Sequence, residues 1–198
     1  MPDTTTRRTH PLLLLVASLA LIAMISVPAN AALVLYRAIL TGPSESPPNA
    51  SPGTGVGQVD IDAVAHTMRV RASFSGLLGN TTASHIHTPT AVALTGTAGV
   101  ATTTPTFAGF PLGVKAGTYD NTLDLTMASS YNPSYVTANG GTPAGAEAAL
   151  LAGIAAGKAY LNIHSNVFGG GEIRGFLQPF DPTPTAKSSW ARVKSLFH

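Results

Sequence analysis

No cysteine occurs among the 198 residues. Disulfides, thiolate metal sites and thiol nucleophiles are therefore excluded, and stability has to come from sheet pairing, packing or a bound ion. Charge is also scarce: Asp, Glu, Lys and Arg together make up 10% of the chain and the formal net charge is +2. A basic patch of the kind that grips nucleic acid is thus missing. No Ser-His-Asp order, phosphate-cradling loop or paired-carboxylate motif stands out, so hydrolase and kinase chemistry have little support. The histidines carry whatever chemistry there is.

One long apolar run is present, and it stands at the start. Arg7-Arg8 precede an unbroken stretch from Leu12 to Val27, and Pro28-Ala29-Asn30-Ala31 places small residues at the spacing a signal peptidase reads. A positive segment, an apolar segment and an A-x-A site predict a secretory signal peptide over 1–31, cleaved after Ala31. An uncleaved membrane anchor is the alternative, although the run falls slightly short of the roughly 20 residues of a typical span. The mature domain then covers 32–179, and 180–198 forms a linker and a basic tail. That tail ends in Trp190, Val193, Leu196 and Phe197, a frayed amphipathic segment or, alternatively, a membrane-surface contact. The expected location is secreted, extracellular or periplasmic, with a membrane involved only through an uncleaved signal or the tail.

Within the mature domain the apolar residues alternate. Leu33 to Leu40 is β-prone and is broken by Gly42-Pro43 and Pro47-Pro48, which cannot continue a ladder. Gly55 to Asp62 sets Val59 and Ile61 against Gln58, Asp60 and Asp62; the next stretch sets Met68, Val70, Ala72 and Phe74 against Arg69, Arg71 and Ser73. The short link from Ala63 to Thr67 makes these two an antiparallel hairpin, and His66 in that link is expected to be a solvated loop residue. Thr88 to Pro111 is rich in Thr, Ala, Gly and Pro, which predicts weak strands and long loops. Gly117 to Met127 restores the alternation.

Thr142-Pro143 opens an Ala-rich segment to Ala156 that predicts a helix, capped by Thr142 and ended by Gly157. Leu150, Leu151 and Ile154 would form its buried stripe, and Gly153 weakens it. Strands over Ala159 to His164 and Glu172 to Leu177 follow, joined by Gly169-Gly170-Gly171. Many short strands punctuated by Gly and Pro predict an all-β domain, an antiparallel Greek-key β-sandwich or barrel with one short helix.

Alternation also places the histidines. His85 and His87 share one strand face with Ile86 on the other, and His164 lies opposite Leu161 and Ile163. Three imidazoles would then leave the sheet away from the core. An H-x-H pair completed by a third histidine from a neighbouring strand suits zinc or copper; the alternative is a polar outer face on which these rings only hydrogen-bond to neighbours. Glu172 and Arg174 share the face opposite Ile173. They could orient a histidine or form an ion pair with each other at the rim.

Two resemblances bear on these residues. Gly157-Lys158-Ala159-Tyr160-Leu161-Asn162-Ile163-His164, running on to Gly169-Gly170-Gly171-Glu172-Ile173-Arg174-Gly175, resembles the closing signature of the CHRD domain, the module named after chordin. That likeness covers roughly residues 36 to 178 and implies a secreted β domain. Gly76-Leu77, then Ser84-His85-Ile86-His87, then a late strand ending in His164, then a glycine loop and Gly175-Phe176-Leu177, is similar in order to copper/zinc superoxide dismutase. By that resemblance His85, His87 and His164 fall on copper-ligand places outside a Greek-key barrel. No histidine lies between His87 and His164, so the bridging ligand and zinc cluster of that family have no counterpart, and its arginine after the glycine loop has no clear one.

The leading expectation is a secreted extracellular binding module that engages a protein or matrix ligand, with a three-histidine site for copper or zinc. A copper-binding, superoxide dismutase-like protein is the alternative, in which case the activity is that of a copper-dependent oxidoreductase. A purely structural cell-surface domain comes third.

Overall fold

The computed structural model describes residues 33–182. The expected signal peptide with its cleavage site, and the tail beyond Pro182, lie outside the described residues. Seven strands form the main path: β1 (Val34–Thr41), β2 (Thr54–Asp62), β3 (Thr67–Ser75), β4 (Thr81–His87), β5 (Gly117–Asp124), β6 (Tyr160–Ser165) and β7 (Ile173–Phe176). Their spatial order is β4-β6-β7-β1-β2-β3-β5, and a two-residue β8 (Gln178–Pro179) pairs with β1. All pairings are antiparallel.

The chain therefore leaves β3, next to one end of the path, crosses to β4 at the other end, and crosses back to β5 beside β3. Such crossovers give the sheet its Greek-key character. Val59 on β2, Val70 on β3, Ile86 on β4, Leu161 on β6 and Ile173 on β7 are fully buried and belong to one core cluster. One cluster fed from both ends of a sheet requires that sheet to curl over itself. Gly57 marks the closure, because a Cβ there would meet the Leu161 side chain at 3.4 Å, across the core from a strand that is not its neighbour. The antiparallel all-β sandwich or barrel expected from the alternation is the architecture observed.

The β2–β3 hairpin shows how the alternation works. Met68, Val70, Ala72 and Phe74 are buried, while Arg69 and Arg71 leave the other face and reach diagonally to carboxylates on the flanking strands. Arg69 makes a two-pronged pair with Asp120 on β5, at 2.7 and 2.5 Å, and Arg71 pairs with Asp60 on β2. Both fit the cross-strand geometry in which diagonal long side chains meet.

Three local features differ from expectation. The strand from Gly117 stops at Asp124, because the Asp124 carboxylate accepts both the backbone N–H and the hydroxyl of Thr126 at 2.9 and 2.6 Å. That local turn outcompetes the ladder, leaving Met127 53% exposed. A helix not foreseen, α1 (Pro133–Ala138), precedes the expected one; the Asn132 side chain caps it by accepting from Ser134 N, and Pro133 opens its first turn. His66 is more than a solvated loop residue, since its Nδ1 lies 2.9 Å from a Glu147 carboxylate oxygen on the second helix.

That second helix, α2 (Pro143–Ala155), is the one expected: the Thr142 hydroxyl accepts from Gly145 N, Leu150 and Ile154 are fully buried, and Gly157 follows with φ 67°. Gly153 has a packing reason, because a Cβ there would collide with the Thr88 hydroxyl. The segment from Thr88 to Pro111 is the long loop expected, with isolated bridges at Val100 and Thr102 where weak strands were also expected, and it lies along the free edge of β4. Ala101 and Phe107 N–H groups donate to the Ile86 and Ser84 carbonyls, while the Thr102 and Thr106 hydroxyls accept from Ile86 and Ser84 N. The edge is thereby covered, and loop atoms are brought over the histidines.

Candidate metal centre

β4 and β6 are neighbours, with His85 opposite Asn162, His87 opposite Tyr160 and Ala83 opposite His164. Ile86, Leu161 and Ile163 fill the core, so the pleat sends His85, His87, Tyr160, Asn162 and His164 to the other face. The three imidazole rings gather there. Their centroids are separated by 5.3 Å (His85–His164), 5.8 Å (His85–His87) and 6.1 Å (His87–His164). One ring nitrogen from each lies within 4.8 Å of the others. Nitrogens bound to one ion at about 2.0–2.1 Å in tetrahedral geometry stand about 3.4 Å apart, so a pair at the 4.8 Å bound would have to close by roughly 1.4 Å.

The hydrogen bonds decide which nitrogens those are. Each ring has one nitrogen against a backbone carbonyl: His85 Nε2 at 2.7 Å from Pro105 O, His87 Nδ1 at 2.9 Å from Ala98 O, and His164 Nδ1 at 2.9 Å from Gly169 O. A carbonyl only accepts, so each of those nitrogens carries the ring N–H, and a neutral imidazole then offers a lone pair on its other nitrogen. The free lone pairs are on His85 Nδ1, His87 Nε2 and His164 Nε2. His87 Nε2 is buried with no hydrogen-bond partner. His85 Nδ1 and His164 Nε2 face each other at 3.3 Å with no proton on either, a repulsive pairing unless a cation lies between them. Metal-bound histidines characteristically donate the second ring N–H to a carbonyl or carboxylate, which fixes tautomer and ring orientation. All three rings here have that anchor.

Their surroundings also favour the neutral ring. His85 and His87 are buried, and desolvation holds all three imidazoles below the ordinary histidine pKa, His87 at about 4. In each case the carbonyl bond opposes that effect without reversing it. A polar face exists, as the strand alternation implied, but loops bury much of it.

Three further residues complete the centre. Tyr160 stacks on His87 with centroids 4.7 Å apart and planes 6° from parallel. Asn162 lies close to His87 yet closes no hydrogen bond with it: its Oδ1 is buried and unpartnered, and its Nδ2 donates to Glu45 Oε1 at 3.3 Å. Glu45 itself is buried, and desolvation pushes its carboxyl up to about 7 despite the opposing pull of Arg174, Asn162 and the Ser46 N–H. Tyr160 and Asn162 were reachable from the alternation that gives His164; Glu45 had no sequence signal.

Glu172 and Arg174 do not pair with each other, which corrects the ion-pair expectation. Glu172 is fully buried, and its carboxylate accepts from Ser51 Oγ at 2.7 Å, Leu78 N at 2.5 Å and Gly79 N at 3.2 Å. Burial alone would raise its pKa, but those bonds together with one from Ser165 hold it below the usual carboxylate range. It fastens the 77–79 loop and the 51–53 loop to β7. Arg174 donates from Nε to Ser44 O at 2.5 Å and has Glu45 Oε2 at 3.7 Å. Its guanidinium carbon lies 4.7 Å from the centre of the Tyr160 ring. Because β6 runs between β4 and β7, His87 and Arg174 take Tyr160 from opposite sides. Among the described residues, Arg174 therefore bears on a histidine only through Tyr160, and Glu172 bonds to none.

These features define an antiparallel β domain that presents three anchored imidazoles on its outer face. Residues 36–177 match the family model of the CHRD domain, and the chain belongs to that family. No curated protein and no solved structure matches it.

Proposed function

We propose that this CHRD-domain protein is secreted and binds a copper ion through His85 Nδ1, His87 Nε2 and His164 Nε2, serving as an extracellular binding module for a protein or matrix ligand. The observation that carries the metal reading is the convergence of three lone pairs whose rings are each fixed by a carbonyl, two of them facing at 3.3 Å without a proton between. Three neutral imidazoles accept either zinc or copper, and at a given nitrogen site copper(II) binds the more tightly. Copper held there would supply a one-electron couple, and zinc a Lewis acid. The chain's own part is to keep the rings neutral by burial, to fix their tautomers through Ala98, Pro105 and Gly169, and to brace His87 against Tyr160. Secretion is supported by the Arg7-Arg8, apolar run and A-x-A order, and no helix among the described residues is long and apolar enough to cross a membrane.

The test is metal content of protein purified from its native compartment, followed by titration of the metal-free form with copper(II) and zinc. Near one equivalent of copper, with a nitrogen-ligand electron paramagnetic resonance pattern lost in His164→Ala, is the expected result. Absence of binding by either ion would remove the metal and leave the module.

A second reading is favoured by the placement of the three imidazoles on the outside of a Greek-key sheet: a copper oxidoreductase of superoxide dismutase type. Steering an anion to such a site requires an exposed cation over it, whereas Arg174 is held behind Tyr160. Superoxide consumption by the copper-loaded protein decides between the two.

A further inference from the structure

On the far side of Tyr160 from the histidines, a cleft of about 600 Å³ opens between β1, β7 and the loop after β1. None of the three histidines lines it. Arg174 does, although the residue is only 4% exposed. Its Nε is used by Ser44 O, but its two terminal nitrogens have no hydrogen-bond partner among the described residues. Those nitrogens are not among the buried atoms left unpaired, so they open into the cleft that Arg174 lines, where a charge-assisted acceptor can reach them. The nearest carboxyl, Glu45, is 3.7 Å from Nε, and burial holds it near half-protonated at neutral pH. Arg37 lines the same cleft with its guanidinium carbon 5.3 Å from the centre of the Phe180 ring, and no carboxylate among the described residues pairs with it. Two guanidiniums thus face one partly neutralised carboxyl. Ile39, Phe176 and Phe180 are among the apolar residues of the wall.

We propose that this cleft binds a small organic carboxylate, whose oxygens accept from the terminal nitrogens of Arg174 and from Arg37 while its carbon skeleton lies against Phe176 and Phe180. Guanidinium–carboxylate pairing is directional and often two-pronged, and a cleft of several hundred cubic ångströms is the usual size of a small-molecule site. The cleft adjoins the metal centre through Glu45, but none of the three histidines lines it and its occupant need not touch the ion.

Phenylacetate and its neutral isostere phenylacetamide serve as probes, titrated calorimetrically into the metal-free, full-length secreted protein. The acid is expected to bind at about 1 mM or tighter, with the amide about tenfold weaker or worse. Arg37→Gln, a change at an exposed position, should weaken the acid about fivefold or more, bringing it toward the amide. Glu45→Gln should tighten it by removing the competing carboxyl. His164→Ala should leave it unchanged, so failure of the metal reading and failure of this one are separately visible. Equal binding of acid and amide, an unaltered affinity in Arg37→Gln with native circular dichroism, or no binding of the acid at about 10 mM would each overturn the proposal.

Discussion

On β3 the residues that alternate with the core, Arg69, Arg71 and Ser73, stand in or near solvent, and their charges are answered by Asp120 and Asp60. On β6 the corresponding positions are Tyr160, Asn162 and His164, of which the first two are buried and the third half-buried beneath loops. Both outer faces are polar. On β3 the polarity meets water, and each side chain is replaceable because water can take its place. On β6 and its neighbours β4 and β7 water is largely excluded, so most polar atoms have fixed partners, while His87 Nε2 and Asn162 Oδ1 are buried without one. A buried polar face is expensive unless it is satisfied, and unpaired acceptors that converge there point to a ligand.

The inner faces should not distinguish the two regions. Val70→Asp would place an unpaired carboxylate at a fully buried position and should cost about 3 kcal/mol or more in urea melts. A marginal loss would mean that the core is wrongly assigned. Removing Glu172 tests the buried outer face: Glu172→Ala strands the Leu78 and Gly79 N–H groups and the Ser51 hydroxyl, for an expected loss of about 2 kcal/mol or more. Arg69→Ser, on the exposed outer face, should be nearly neutral in the same melts. Comparable losses from the two would break the comparison.

Metal affinity is the next largest effect. His164→Ala should weaken copper(II) binding by about tenfold or more by leaving only the H-x-H pair, whereas His66→Ala, at a ring engaged with Glu147, should leave binding unchanged. Equal effects in equilibrium titrations would dissolve the assignment.

The pH dependence of the metal-free protein sharpens the contrast further. The three imidazoles have folded pKa values below the usual histidine value, His87 at about 4. The unfolded chain then binds more protons, and their contribution is present above about pH 6.5 and declines as pH falls toward 4. Glu45 works in the opposite sense: its raised value of about 7 means a contribution present below the ordinary carboxylate range and lost as pH rises through 7. The two slopes oppose each other between about pH 4.5 and 6.5. Glu45→Gln should therefore steepen the loss of stability on acidification, and His87→Gln should flatten it, both read from denaturant midpoints across pH. The smallest expected effect is salt sensitivity at Arg69–Asp120, an exposed pair whose influence should fade at high ionic strength.

Much of the fold was legible because strand alternation and turn residues are local. Met68 to Phe74 gave the face of β3, Thr142-Pro143 the start of α2, and Ile86 between two histidines the orientation of β4. Where local chemistry competed, the pattern misled: Asp124 and Thr126 ended β5 before Met127, and Asn132-Pro133 began α1 unannounced. At the centre, His85, His87 and His164 could be named as ring-bearing positions on one kind of face. Their partners could not, since Ala98, Pro105 and Gly169 act through backbone carbonyls that any residue possesses.

Sequence alone determined that this chain is all-β and antiparallel, that it has no thiol chemistry, and that three histidines leave the sheet opposite the core, because periodicity and composition are properties of neighbouring residues. Only the tertiary structure decided that β4 lies beside β6, that loops bury the histidine face, that Arg174 answers to Glu45 and Tyr160 rather than Glu172, and which nitrogen of each ring is free. Those outcomes depend on contacts between residues up to 130 positions apart, as in Arg174 to Ser44, and no local pattern encodes which distant carbonyl an imidazole will meet.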